Sequence, residues 1–261
     1  MPATDDTQVL VQAPSEALRP FVTRFLVVES TAARSDTHLP DTGLVAAFSF
    51  RGDCRLNGGA QAPRAAITGL CDTVRTHAHS RDHAVVIVAF TATGAAALLR
   101  QPLEEFANAT TDLDAVLGRP AGVDHLHDQL AAAASHAQRI RLVEDLLFAH
   151  AGDGRPDPLV TAAVALIERT QAMMRIEEIA RRIGLSQSAL ERRFRRLVGT
   201  SPRRFASLVR LQNVVRLRRA GADLTAIAHA AGYCDQPHFI KDFKRFTGLT
   251  PGSFFTRATA G

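Results

Sequence analysis

The chain has 261 residues, 46% of them hydrophobic, with 10 histidines, three cysteines and a formal net charge of +5. That length allows two ordinary domains with proper cores, and no apolar run approaches the ~18 residues of a membrane span. Cys54, Cys71 and Cys234 are too scattered for a disulfide framework, and the acidic start, Met1 to Leu10, does not read as a secretory signal, so the cytoplasm is the expected compartment.

In chain order, Phe21 to Glu29 is rich in β-branched and aromatic residues and reads as a strand. Leu44 to Phe50 is a second strand, ended by Arg51-Gly52-Asp53, and Asn57-Gly58-Gly59 is the signal of a hairpin tip. Further strands are expected at Ala65–Leu70, Val74–His79 and Ala84–Phe90, which together predict an antiparallel sheet or small barrel. After Thr93-Gly94 the pattern turns helical: Ala95 to Arg100, Leu103 to Ala107, Leu113 to Leu117, and a long pattern from Asp124 to His150. In that last pattern Leu126, Leu130, Ala133 and Ala134 form one face, continued past a polar break near His136 by Ile140, Val143, Leu147 and Phe148. Ala151 to Pro158, with two glycines and two prolines, is a linker by composition, and Asp157-Pro158 then caps and opens a new helix.

Charge follows the same division. Residues 1–150 hold 12 Arg against 17 Asp and Glu, net −5, and residues 151–261 hold 19 Lys and Arg against 9 Asp and Glu, net +10. A basic half joined to an acidic half suggests that one part touches phosphate and the other stays off it.

The basic half repeats itself. Ile176, Ile179, Ala180, Gly184 and Leu185 recur 48 positions later as Leu224, Ile227, Ala228, Gly232 and Tyr233. Past the turn the offset is 49: Leu190, Phe194, Leu197, Gly199, Pro202 and Phe205 return as Phe239, Phe243, Phe246, Gly248, Pro251 and Phe254. Each copy reads as a short amphipathic helix, a glycine turn, and a second helix capped by Ser186 or Asp235. This is a helix-turn-helix, whose second helix enters a major groove. Ser201-Pro202 opens a long helix between the copies, to about Arg219, with apolar positions Leu208, Leu211, Val215 and Leu217; Thr250-Pro251 opens the last one. Once the apolar stripe is removed, the second helices present Gln187, Ser188, Glu191, Arg192, Arg195 and Arg196, and Gln236, His238, Lys241, Lys244 and Arg245. Fork donors, amides and a hydroxyl are the groups that reach base edges and phosphates.

The run Gly232-Tyr-Cys-Asp-Gln-Pro-His-Phe239-Ile-Lys-Asp-Phe243-Lys-Arg-Phe-Thr-Gly248-Leu-Thr-Pro251 resembles the closing motif of the AraC/XylS transcription regulators, and the resemblance covers residues 157–257. That family has two helix-turn-helix units joined by a long helix and reads bases with both second helices. Position by position, the resemblance implies a reading face of Ser188, Glu191 and Arg192 in the first unit and Gln236, Pro237, His238 and Lys241 in the second. Gln187, Arg195 and Lys244 complete the expected DNA-contacting set. Pro237 replaces a hydrogen-bonding residue, and Glu191 either accepts from a cytosine amino group or pairs with Arg195 one turn on. The first half, through Pro14 to Phe21, Leu39-Pro40-Asp41, Gly69, Phe90 and Gly94, is similar to an N-terminal domain found in many of these regulators.

The expected fold is therefore an α+β N-terminal domain over 1–150 with a regulatory role, a linker at 151–157, and an all-α domain over 158–261 with helix-turn-helix units at about 176–199 and 224–248. The expected partners are duplex DNA and a small-molecule effector held inside the sheet domain, with RNA polymerase and a second copy of the chain as further candidates and no membrane. No catalytic motif surrounds Cys71, and no Gly-x-Ser-x-Gly or phosphate loop is present. No cofactor or metal is expected, although His77 and His79 share a strand face with Cys71, Asp82 and His83 near in sequence. The contrasting reading is an enzyme or metal-dependent catalytic domain fused to a DNA-binding tail.

Overall fold

The computed structural model describes residues 7–99, 101–118, 123–151, 154–233 and 235–258; Cys234, Arg100, the first six residues and residues 152–153 of the expected linker lie outside them. The first half forms two antiparallel sheets. The larger contains β1 (Thr7–Gln12), β2 (Val22–Ser30), β4 (Val45–Arg51), β7 (Ala65–Thr68), β9 (His83–Phe90) and β10 (Thr110–Asp112), in the order β1-β2-β9-β4-β7-β10. The smaller contains β3 (Arg34–His38), β5 (Cys54–Leu56), β6 (Ala60–Gln61) and β8 (Arg75–His79), in the order β3-β8-β5-β6. The expected antiparallel sheet structure is thus present, divided into two sheets.

Burial explains which strands were visible in the sequence. In β4 Ala46, Phe48 and Phe50 are buried in alternation, and β9 is buried along almost its whole length, hence its unbroken apolar run. The Asn57-Gly58 tip turns β5 into β6 with both residues at positive φ. β1, β3 and β10 were missed: they are short or exposed edge segments whose hydrogen bonds come from distant partners.

The helices of this half are α1 (Gly94–Leu99), a 3-10 turn at Leu103–Phe106, α2 (Leu113–Leu117), α3 (Val123–Ala132) and α4 (His136–Ala151). The pattern read as one long helix from Asp124 to His150 is therefore two. Ser135 Oγ accepts the Gln138 N–H at 3.2 Å and starts α4, while Arg139 Nε donates to the Leu130 carbonyl at 2.9 Å and closes α3. Leu126, Leu130, Ala133, Ile140, Val143 and Leu147 are buried as expected; Ala134, in the break between the helices, and Phe148, on α4, are exposed.

The second half is all helical: α5 (Pro158–Arg169), α6 (Ile176–Arg182), α7 (Gln187–Val198), α8 (Pro202–Arg219), α9 (Leu224–Ala230), α10 (Gln236–Thr247) and α11 (Pro251–Ala258). Asp157 accepts from the Leu159 and Val160 N–H groups to begin α5. α8 packs against α5, α7 and α9, burying Phe205, Leu208, Leu211, Val214 and Val215. Its 18 residues span about 27 Å. Leu217 is only half-buried.

The halves touch at several places, one of them the hydroxyl of Thr93 on that of Thr161 at 3.2 Å. The end of α7 packs on the 3-10 turn, where Gly199, at φ 88°, admits the Leu103 carbonyl; a Cβ there would meet that oxygen at 3.0 Å. The Gln212 side-chain amide donates to the Pro40 carbonyl. The loop before β8 reaches two helices: Asp72 pairs with Arg204 of α8 at 2.7 Å, and the Val74 N–H donates to the Phe246 carbonyl of α10 at 3.0 Å.

Candidate nucleic-acid interface

Each helix-turn-helix is built by local hydrogen bonding. After α6 the Gly184 N–H donates to the Arg181 carbonyl and the Leu185 N–H to the Ala180 carbonyl, with Gly184 at φ 72°. This left-handed glycine closure satisfies the open carbonyls of the first helix and aims the chain into the second. The other copy repeats it: Tyr233 N–H donates to the Ala228 carbonyl, with Gly232 at φ 75°. The second helices begin on side-chain caps, Ser186 Oγ to the Ala189 N–H at 3.2 Å and Asp235 Oδ1 to the His238 N–H at 2.7 Å. Behind them Leu190, Phe194 and Val198 are buried on α7, and Phe239, Phe243 and Phe246 on α10.

That burial fixes which face remains outside. On α7 Gln187, Ser188, Arg192, Arg195 and Arg196 are exposed and Glu191 is half-exposed. Glu191 accepts from Arg195 at 2.9 Å, so of its two expected roles the intrahelical pair is the one formed. Arg193 instead turns back to Asp157, 3.4 Å away. Arg192 has no hydrogen-bond or ion-pair partner among the described residues. A free guanidinium on an exposed helix face is available for bidentate contact with a guanine edge or a phosphate.

On α10 Gln236, Pro237, His238, Lys241 and Lys244 are all exposed. Pro237 fits because the first turn of a helix has no inward partner for the missing N–H. The His238 ring rests edge-on against Tyr233 at 5.3 Å. Beneath this face lies a buried polar pair: Tyr233 OH donates to Asp242 Oδ2 at 3.2 Å, and Asp242 also binds Arg245 at 2.8 Å. Burial, with Asp242 beside it, pushes the Tyr233 phenol well above its ordinary range and keeps it a donor. Ile240 was not among the expected contacts, yet it is exposed at the position matching Glu191. The 49-residue offset that pairs it with Glu191 is the signal that could have placed it outside.

The side chains weighed for metal binding fall elsewhere. Cys71 bonds its thiol to the Gly69 carbonyl at 3.1 Å, and Asp82 sits in a turn at φ 56°. His77 and His79 do share a face, and the third histidine that joins them is His38 from β3.

Residues 179–257 match a family of helix-turn-helix domains, and residues 11–112 match a domain of unknown function (DUF6597). A Streptomyces antibioticus protein described as an AraC-like transcription regulator is 34% identical over 103 residues, covering 39% of this chain and 34% of the relative. A helix-turn-helix transcriptional regulator of Haemophilus influenzae is 32% identical over 120 residues, covering 46% and 39%. The chain thus spans between a third and two fifths of these relatives' length. ToxT of Vibrio cholerae is a solved structure with a similar course, at 10% identity and TM-score 0.48, covering 96% of this chain and 98% of that one. Through residues 179–257 the chain thus carries a helix-turn-helix region similar to that of AraC-like transcription regulators.

Proposed function

We propose that this protein is a sequence-specific, duplex-DNA-binding transcription regulator whose N-terminal domain takes a small-molecule effector. The observation that carries the reading is the paired exposure of Arg192 and Lys241 on equivalent positions of two recognition helices, each backed by its own buried aromatic stripe. Ser188, Glu191 and Arg192, with Gln187 and Arg195, would read one major-groove segment; Gln236, Pro237, His238 and Lys241, with Lys244, would read the next. Because the two sets differ, one chain would recognise two unlike adjacent half-sites rather than a palindrome.

A cleft of 1220 Å³ lies where the two halves meet, lined by Phe21, Phe90, Phe148, Pro158, Ala162 and Arg155 among others. Its largely apolar walls, with threonine hydroxyls, Arg155 and Glu168 among the described lining residues, suit an apolar effector with a polar end, and this junction is a better seat than the packed interior of the sheets. Binding of the full chain to duplex DNA tests the main reading. Affinity should fall about 10³-fold or more between roughly 50 and 200 mM salt, as expected for six or more phosphate contacts. A folded chain with no salt-dependent affinity for duplex DNA refutes it.

A further inference from the structure

The smaller sheet carries a group of imidazoles that DNA binding does not use. β3 and β8 pair with Asp36 opposite His77, Arg34 opposite His79 and His38 opposite Arg75. Directly opposed residues project to the same side and alternate positions repeat it, so Asp36, His38, His77 and His79 share one face. One ligand nitrogen from each of His38, His77 and His79 lies within 4.8 Å of the others. Two of the ring nitrogens, His77 Nε2 and His79 Nδ1, are enclosed by protein and have no hydrogen-bond partner. Ring packing accounts for the close centroids, 4.6 Å between His38 and His77, but leaves those bare nitrogens unexplained.

Asp36 supplies the remaining part of a ligand set. Its carboxylate stands 3.5 Å from His79 Nε2 and is itself held by Arg34 at 2.7 Å. A carboxylate on one ring nitrogen fixes the proton there and leaves the lone pair of the other for a metal. Burial, reinforced by the neighbouring His38 and His79, lowers His77 to about 4; burial also lowers His79, against the opposing pull of Asp36.

We propose that His38, His77 and His79 bind one first-row divalent transition-metal ion of the zinc class, with Asp36 orienting His79. Imidazole nitrogens select such ions over calcium and magnesium, which take oxygen. Around zinc at about 2.0–2.1 Å, tetrahedral nitrogens lie about 3.3 Å apart. The present spread closes to that by side-chain rotation, and His38, at the exposed rim, has the room. Three protein ligands leave a fourth position for water or a small anion. The site stands apart from the DNA-binding reading, since it is measured by metal alone.

The test uses the full chain without a histidine tag, stripped with a chelator and titrated with zinc by calorimetry, then with cobalt to read its visible absorption. About one equivalent should bind, with a cobalt spectrum of nitrogen-rich four-coordinate type. His38→Gln and His77→Gln should each weaken zinc binding at least about tenfold, while His136→Gln, on α4, should leave it unchanged. His38→Gln keeps the test open should the half-buried His77 variant fail to fold. Absence of stoichiometric binding, or binding that survives both ligand substitutions, overturns the proposal.

Discussion

Among the described residues, Phe194 in the first helix-turn-helix meets one aromatic ring, that of Phe205 at 5.4 Å. Its counterpart Phe243 sits among three, Phe239, Phe254 and Phe255, all within 6.0 Å. On the outside the contrast reverses. α7 carries four arginines and no exposed apolar residue, whereas α10 carries Pro237, Ile240 and two lysines. One backbone plan thus has two emphases: fork-shaped donors in the first unit and an aromatic core in the second. Duplication preserves turn and core because both are geometrically constrained, and it leaves the outward face free to diverge.

The largest expected effect addresses the cores. Phe194→Ala and Phe243→Ala should each cost about 3–5 kcal/mol of stability, with Phe243→Ala at the upper end because it removes the centre of an aromatic cluster. Urea denaturation of both variants decides it, and a larger loss at Phe194 would reverse the ranking. Arg192→Ala addresses the outward faces: melting temperature should hold, while specific DNA affinity should fall by about 1–3 kcal/mol. Lys241→Ala should cost less, because an ammonium lacks the bidentate geometry. A competition binding assay on one selected duplex compares the two. The smallest effect is at Glu191→Ala, which breaks an exposed pair contributing about 0.3–0.5 kcal/mol of helix stability. Freeing Arg195 should steepen the salt dependence of DNA binding by about one phosphate contact; an unchanged slope would place Arg195 away from the duplex.

Much of this second half was legible because its determinants are local. Gly184 and Gly232, the caps Ser186 and Asp235, and the Asp157-Pro158 and Ser201-Pro202 openings all act within a few residues of where they stand. The N-terminal domain was less so. β3 reads Arg-Ser-Asp-Thr-His, with no apolar alternation, and becomes a strand only through β8, some 40 residues on. His38 therefore could not be joined to His77 and His79 without the register. The split between α3 and α4 was hidden by a run of alanines, good helix formers that carry no stop signal. Glu191's choice of Arg195, by contrast, was foreseeable from their four-residue spacing alone.

The short loop that joins Asp72 to Arg204 and Val74 to Phe246 sets up a reciprocity. Val74 immediately precedes the strand carrying His77 and His79, and its N–H is spent on the last turn of α10. The residue leading into that strand and the last turn of α10 are thus joined directly by a backbone hydrogen bond. Free energies of linked binding events are symmetric. An occupant of the first half that alters affinity for duplex DNA by some factor must itself be held tighter or looser by that same factor once DNA is bound. The protein would then report its occupancy in both directions, and the operator would count as an effector of the sensor.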